Sequence, residues 1–143
     1  MDSSHETDIE AFEEGPITPS RIALIAALFD VVAFTAIGYI ALESPLIGAF
    51  SGLLIGTGVY CFLPIFFLSE SRGGLEAMAD DREGSPFQSL HRLAAGMALS
   101  GGGIIPIAVM FMELEPFIAA TAGIVAAVAL YVPLAFVLPN AKL

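Results

Sequence analysis

Asp30 is the residue whose type and position most demand chemistry. It is the only acid or base deep inside an apolar stretch, nine residues after Arg21. A carboxylate surrounded by hydrocarbon is unfavourable, so the group must be protonated, paired or beside water. Two roles suit such a group: a proton or cation site, or a neutral acid that hydrogen-bonds two helices together. Counting along the chain gives it company. Tyr60 lies nine residues before Ser69, Gly101 nine after Arg92, and Tyr131 nine before Asn140. At 1.5 Å per helical residue, the four positions would share a level about 13 Å from one membrane face. A tyrosine hydroxyl is the nearest donor for a buried carboxyl. The candidate site is therefore Asp30 pointing inward, hydrogen-bonded to Tyr60 or Tyr131.

Other chemistry finds little material. The two histidines, His5 and His91, fall in an acidic N-terminal stretch and near an apolar boundary. They do not supply an intramembrane pair of haem ligands within one chain, and no spacing matches a zinc site. Cys61 is the only cysteine, so an internal disulfide is excluded, and in an apolar run it reads as a small hydrophobe. No Ser/His/Asp arrangement falls at a common depth. Glu113 and Glu115 offer carboxylates to cations, but a solvated acidic loop explains them equally well. The expectation is a chain without metal or cofactor, and not an enzyme.

The elements that must position Asp30 are four apolar runs, at 22–42, 45–68, 93–112 and 116–138. Each is close to the ~20 residues a helix needs to cross a bilayer. Lipid offers the backbone no water, so the helix is the natural spanning form. The start signals are consistent. Thr18-Pro19 and Ser44-Pro45 each put a capping hydroxyl before a proline at the first helical position. Ser85-Pro86-Phe87-Gln88 has capping-box spacing and predicts a third helix beginning near Pro86, before its apolar run. Glu115-Pro116 opens the fourth, with a charge that favours a helix N-terminus.

Connections at 43–44 and 113–115 are too short for anything but tight antiparallel pairs. The expected fold is an all-α four-helix membrane bundle of two hairpins (18–143). An acidic tail, 1–17, precedes it, and a charged link, 69–85, joins the hairpins. Arg21, Arg72, Arg82, Arg92 and Lys142 all fall on one side of this topology, while the opposite loops hold only Glu43, Glu113 and Glu115. Lys and Arg mark the cytoplasmic side, so both termini are expected in the cytoplasm of a multi-pass cell-membrane protein. A shift of 71 positions aligns Arg21 with Arg92, Pro45 with Pro116, Gly52 with Gly123 and Tyr60 with Tyr131. The hairpins then read as a parallel repeat.

Small residues mark where helices meet. Gly48, Gly52 and Gly56 recur every fourth residue on helix 2, and Ala119, Gly123 and Ala127 do so on helix 4. Such spacing lets backbones approach closely, within the bundle or across a homodimer. Gly101-Gly102-Gly103 followed by Pro106 weakens helix 3. That run is either a hinge or unwound site beside a cavity, or a groove for close packing. On helix 1, Asp30 shares a stripe with Ala23, Ala26, Ala27 and Ala33, leaving Ile22, Ile25, Phe29 and Val32 for lipid.

Hydrophobic residues make up 57% of the 143-residue chain and charged residues 14%, with fifteen acids, five bases and a net charge of −10. A domain this small cannot hide so much apolar surface from water. The acidic, lysine-poor balance argues against nucleic acid, which needs clustered bases, and against attraction to anionic lipid. It suits water of very high ionic strength, where salt screens self-repulsion. With its acidic tail Asp2–Glu14, sparse lysine and Ala/Gly/Val-rich spans, the chain resembles small uncharacterised multi-pass membrane proteins of haloarchaea. That likeness implies a membrane and a halophilic habitat. Four helices with one acid in the first span also look like the small multidrug-resistance transporters, which act as dimers. Two functions follow as expectations. The first is a structural or accessory membrane subunit that packs with itself or another membrane protein. The other is a small proton- or cation-coupled transporter using Asp30.

Overall fold

The computed structural model describes residues 17–71 and 86–140, and the tail and most of the central link lie outside them. Among the described residues the chain is all-helical: α1 Pro19–Leu42, α2 Pro45–Ser71, α3 Pro86–Met110 and α4 Pro116–Asn140. Each opens on a proline. A proline at the first position loses nothing, because its missing N–H would have no partner inside the helix. At α1 the Thr18 hydroxyl accepts the Arg21 N–H at 3.3 Å, one of the free donors of a helix start. All four helices are long and apolar enough to cross a membrane.

Two short connections stop these helices by the same device. Glu43 (φ 50°) and Glu113 (φ 58°) adopt the left-handed conformation. After α1 the Ser44 N–H returns to the Gly38 carbonyl at 2.9 Å, which satisfies an end group that would otherwise be orphaned. After α3 the N–H groups of Met112 and Glu113 bond the Val109 and Met110 carbonyls, each at 3.0 Å. These turns end α3 at Met110, two residues before the apolar run itself ends.

The helices pack as neighbours in sequence: α1 on α2, α2 on α3, α3 on α4. No packed interface joins α1 to α4. The two central helices carry the core. In the apolar windows of α2 and α3, 39% and 33% of residues are buried, against 11% for each of the flanking helices α1 and α4. The core itself is thin and built from small groups. Ala23, Ala94, Ala98, Ala119, Ala127, Ser51 and several glycines are buried, with Ile47, Ile55, Ile65 and Pro106 as its larger members. Small side chains bring backbones together, so the helices are held by close van der Waals contact rather than by bulky interdigitation.

Candidate functional site

Gly48, Gly52 and Gly56 of α2 face α1. A Cβ on Gly48 would collide with the Phe34 carbonyl and come within 2.9 Å of Gly38 Cα. One on Gly52 would lie 2.8 Å from Val31 Cα and 2.9 Å from the Asp30 carbonyl, and one on Gly56 2.5 Å from the Ala27 carbonyl. Helix α1 therefore occupies the face that the spacing offered to a homodimer. The stripe on α4 behaves alike: a Cβ on Gly123 would meet Pro106 Cγ at 2.5 Å, and Ala119 and Ala127 beside it are buried.

Gly101, Gly102 and Gly103 serve two interfaces at once. Gly102 abuts Ala127 of α4, and Gly101 approaches Leu130. Gly103 turns to α2, where an added Cβ would lie 2.6 Å from Ile55 Cγ1. Helix α3 runs unbroken through the glycines and Pro106, which is fully buried. Of the two readings of this run, close packing is the one the contacts display, and no unwound segment is present. A further glycine pair escaped the sequence reading. A Cβ on Gly58 would strike Ser100 Oγ, and one on Gly96 would lie 2.8 Å from the Gly58 carbonyl. Gly96 precedes Gly103 by seven residues, two helical turns on one face. That spacing was the available signal for the α2/α3 contact.

Asp30 sits at the edge of the α1/α2 contact, half-buried. Ala23 on its stripe is fully buried, and Ala26, Ala27 and Ala33 are half-buried. Ile25, Phe29 and Val32 stand out at 69%, 70% and 68% exposure, whereas Ile22 is half-buried. The expected partners are elsewhere. Gly52 meets Val31 and Gly56 meets Ala27, so residue numbers fall on α1 as they rise on α2. Continuing that register places Tyr60 opposite Ala23, two turns or about 10 Å along the axis from Asp30. Tyr131 belongs to α4, which does not pack on α1. Its hydroxyl lies 3.3 Å from His91 Nδ1, hydrogen-bonded, with the rings 6.3 Å apart at 43°. The polar layer expected from counting residues is thus divided. Tyr131 joins His91, and among the described residues no hydrogen bond links Asp30 to either tyrosine.

Two hydroxyls, Ser51 Oγ and Ser100 Oγ, are buried without a hydrogen-bond partner among the described residues. The helix threonines differ: Thr35, Thr57 and Thr121 each donate to the carbonyl four residues back, at 2.6–2.8 Å. Between α3 and α4 lies a cavity of about 280 Å³ lined by Ala95, Ala98, Leu99, Ala127, Val128 and Tyr131. No group of three His, Cys, Asp or Glu side chains is placed to hold a metal among the described residues. No protein-family model, curated protein or solved structure matches the chain.

Proposed function

We propose that this chain is a non-enzymatic accessory or structural subunit of the cell membrane, and that it assembles through α1 with a second membrane helix. That helix belongs to its own copy or to another subunit. The observation that carries this reading is the setting of Asp30. Asp30 is half-buried within an apolar span, on a flanking helix packed chiefly against α2, with the broad apolar surface of Ile25, Phe29 and Val32 beside it. Ionisable groups within membrane spans face other helices or water and pair there. A partner helix laid along α1 would cover Asp30 and supply a hydrogen-bonding group to it.

In this reading the helices form two antiparallel hairpins, with Arg21 and Arg92 at the cytoplasmic face and Glu43, Glu113 and Glu115 outside. Proton- or cation-coupled transport through Asp30 is the competing reading, and it needs a wet path to the carboxyl. The cavity between α3 and α4 is apolar, lies away from α1 and does not supply that path.

The test is association in mild detergent, followed by light scattering and by mass spectrometry of co-purified subunits, for the native chain, Asp30→Asn and Asp30→Leu. Asn preserves a hydrogen-bonding group and should preserve assembly, while Leu should weaken it. A chain that stays monomeric and alone at all concentrations would overturn the proposal. Proton-linked uptake in proteoliposomes abolished by Asp30→Asn would establish the transporter instead.

A further inference from the structure

We infer that the groove between α3 and α4 is a binding site for one phospholipid, whose acyl chain fills the cavity and whose phosphate is held by Arg92. The cavity lining is Ala95, Ala98, Leu99, Ala127 and Val128, with Tyr131 at one end. Within a membrane such a surface takes hydrocarbon, because water would find no polar partners there. One end of the groove is polar, and that end is the one nearer the start of α3. There the Tyr131 hydroxyl and His91 Nδ1 are hydrogen-bonded at 3.3 Å.

Arg92, the next residue after His91, is exposed. It precedes Leu99 by seven residues, so both stand on nearly the same face of α3, about 10 Å apart along the axis. His91 and Arg92 are consecutive on α3, so a ligand would meet the guanidinium and the His91–Tyr131 pair together at the polar end, and then an apolar slot. A polar head followed by hydrocarbon is the arrangement of a phospholipid, with phosphate and ester or ether oxygens at one end and chain beyond. A guanidinium matches phosphate in charge and in hydrogen-bond geometry, and basic pockets between membrane helices hold anionic headgroups in this manner. The net charge of −10 opposes general attraction to an anionic bilayer. Retention at this groove would therefore be local and saturable.

Native mass spectrometry of the delipidated full chain, titrated with dioleoyl phosphatidylglycerol or dioleoyl phosphatidylcholine, tests the assignment. A saturable single adduct that favours phosphatidylglycerol is expected. Arg92→Gln should weaken it by about fivefold, as expected for loss of one basic residue at an anionic headgroup, and Ala95→Phe, which fills the slot, should remove it. Melting of each variant without lipid verifies that the fold is intact. A third variant, Ala129→Phe, alters an exposed position of α4 outside the lining and should bind as the native chain does. Equal binding of both lipids with no effect of Arg92→Gln, or unchanged binding by Ala95→Phe, would overturn the site. Displacement of phosphatidylglycerol by a long-chain quinone at equal concentration would overturn the choice of occupant.

Discussion

At the scale of single residues, the glycines divide by what an added methyl would meet. At Gly48 it meets backbone: the Phe34 carbonyl, Gly38 Cα at 2.9 Å and Gly38 N at 3.0 Å. Backbone cannot rotate aside, so Gly48→Ala must push α1 away from α2. A loss of about 1–3 kcal/mol is expected, the usual range for overpacking a close contact. Gly101→Ala meets only Leu130 Cδ1, at 2.8 Å, the end of a flexible side chain. There the helix-propensity gain of up to about 1 kcal/mol for Gly to Ala competes with a small adjustment, and the variant should be neutral or more stable. Unfolding by SDS titration of both variants checks this, and equal destabilisation would defeat the distinction. Asp30 yields a second prediction. Asp30→Leu removes the hydrogen-bonding group that α1 would offer a partner, and assembly should weaken by about 1–2 kcal/mol, the scale of interhelical bonds in membranes. Asp30→Asn should lose less than half of that, measured by association in detergent.

The helices show what the sequence carries and what it withholds. Their starts were legible because proline at the first turn, after a capping hydroxyl in α1, α2 and α3 and after Glu115 in α4, acts locally: the helices begin at Pro19, Pro45, Pro86 and Pro116. The end of α3 was less so, because Met110–Glu113 is apolar enough to continue the span and only the left-handed Glu113 stops it. Depth was misread for a different reason. Counting nine residues from each helix end assumes that all ends lie level, whereas the register of α1 on α2 is set by which residues meet, Val31 on Gly52 and Ala27 on Gly56. Neighbour order was also only half visible. Tight turns dictate α1 beside α2 and α3 beside α4, but the α2/α3 contact rests on Gly58 and Gly96, far apart in sequence. The repeat reading gains one correspondence, since Gly52 meets Val31 and Gly123 meets Gly102, again 71 positions on. Orientation is testable at this scale. In a Cys61→Ala background, Ser44→Cys should react with an impermeant maleimide on intact cells, and Ser71→Cys only after lysis. The reverse pattern would invert the proposed topology.

For the molecule as a whole, charge is the property that conditions can change without touching a helix. In the proposed topology eleven of the fifteen acids and all five bases lie on the cytoplasmic side, and Glu43, Glu113 and Glu115 lie opposite. Six of those eleven are in the first fourteen residues: Asp2, Glu6, Asp8, Glu10, Glu13 and Glu14. Like charges gathered at one face raise the free energy of the folded chain relative to an unfolded one, in which they move apart. Salt reduces that penalty, because the screening length falls from about 10 Å at 0.1 M to about 3 Å at 1 M. The described core cannot supply such a dependence, since its buried residues are almost all apolar or glycine. If the acidic surplus adapts the chain to concentrated brine, its melting temperature in one detergent should rise steadily from dilute buffer to 2 M KCl. Sucrose also stabilises, by exclusion from the surface, but it adds no ions, so its effect should not depend on the acidic residues. Deleting residues 1–16 removes six acids and no base. The shortened chain should be more stable than the full one in dilute buffer, and should gain less from KCl. A melting temperature indifferent to KCl would remove the basis for a halophilic habitat. An unchanged salt response after the deletion would instead locate the repulsion in the central link, among Glu76, Asp80, Asp81 and Glu83.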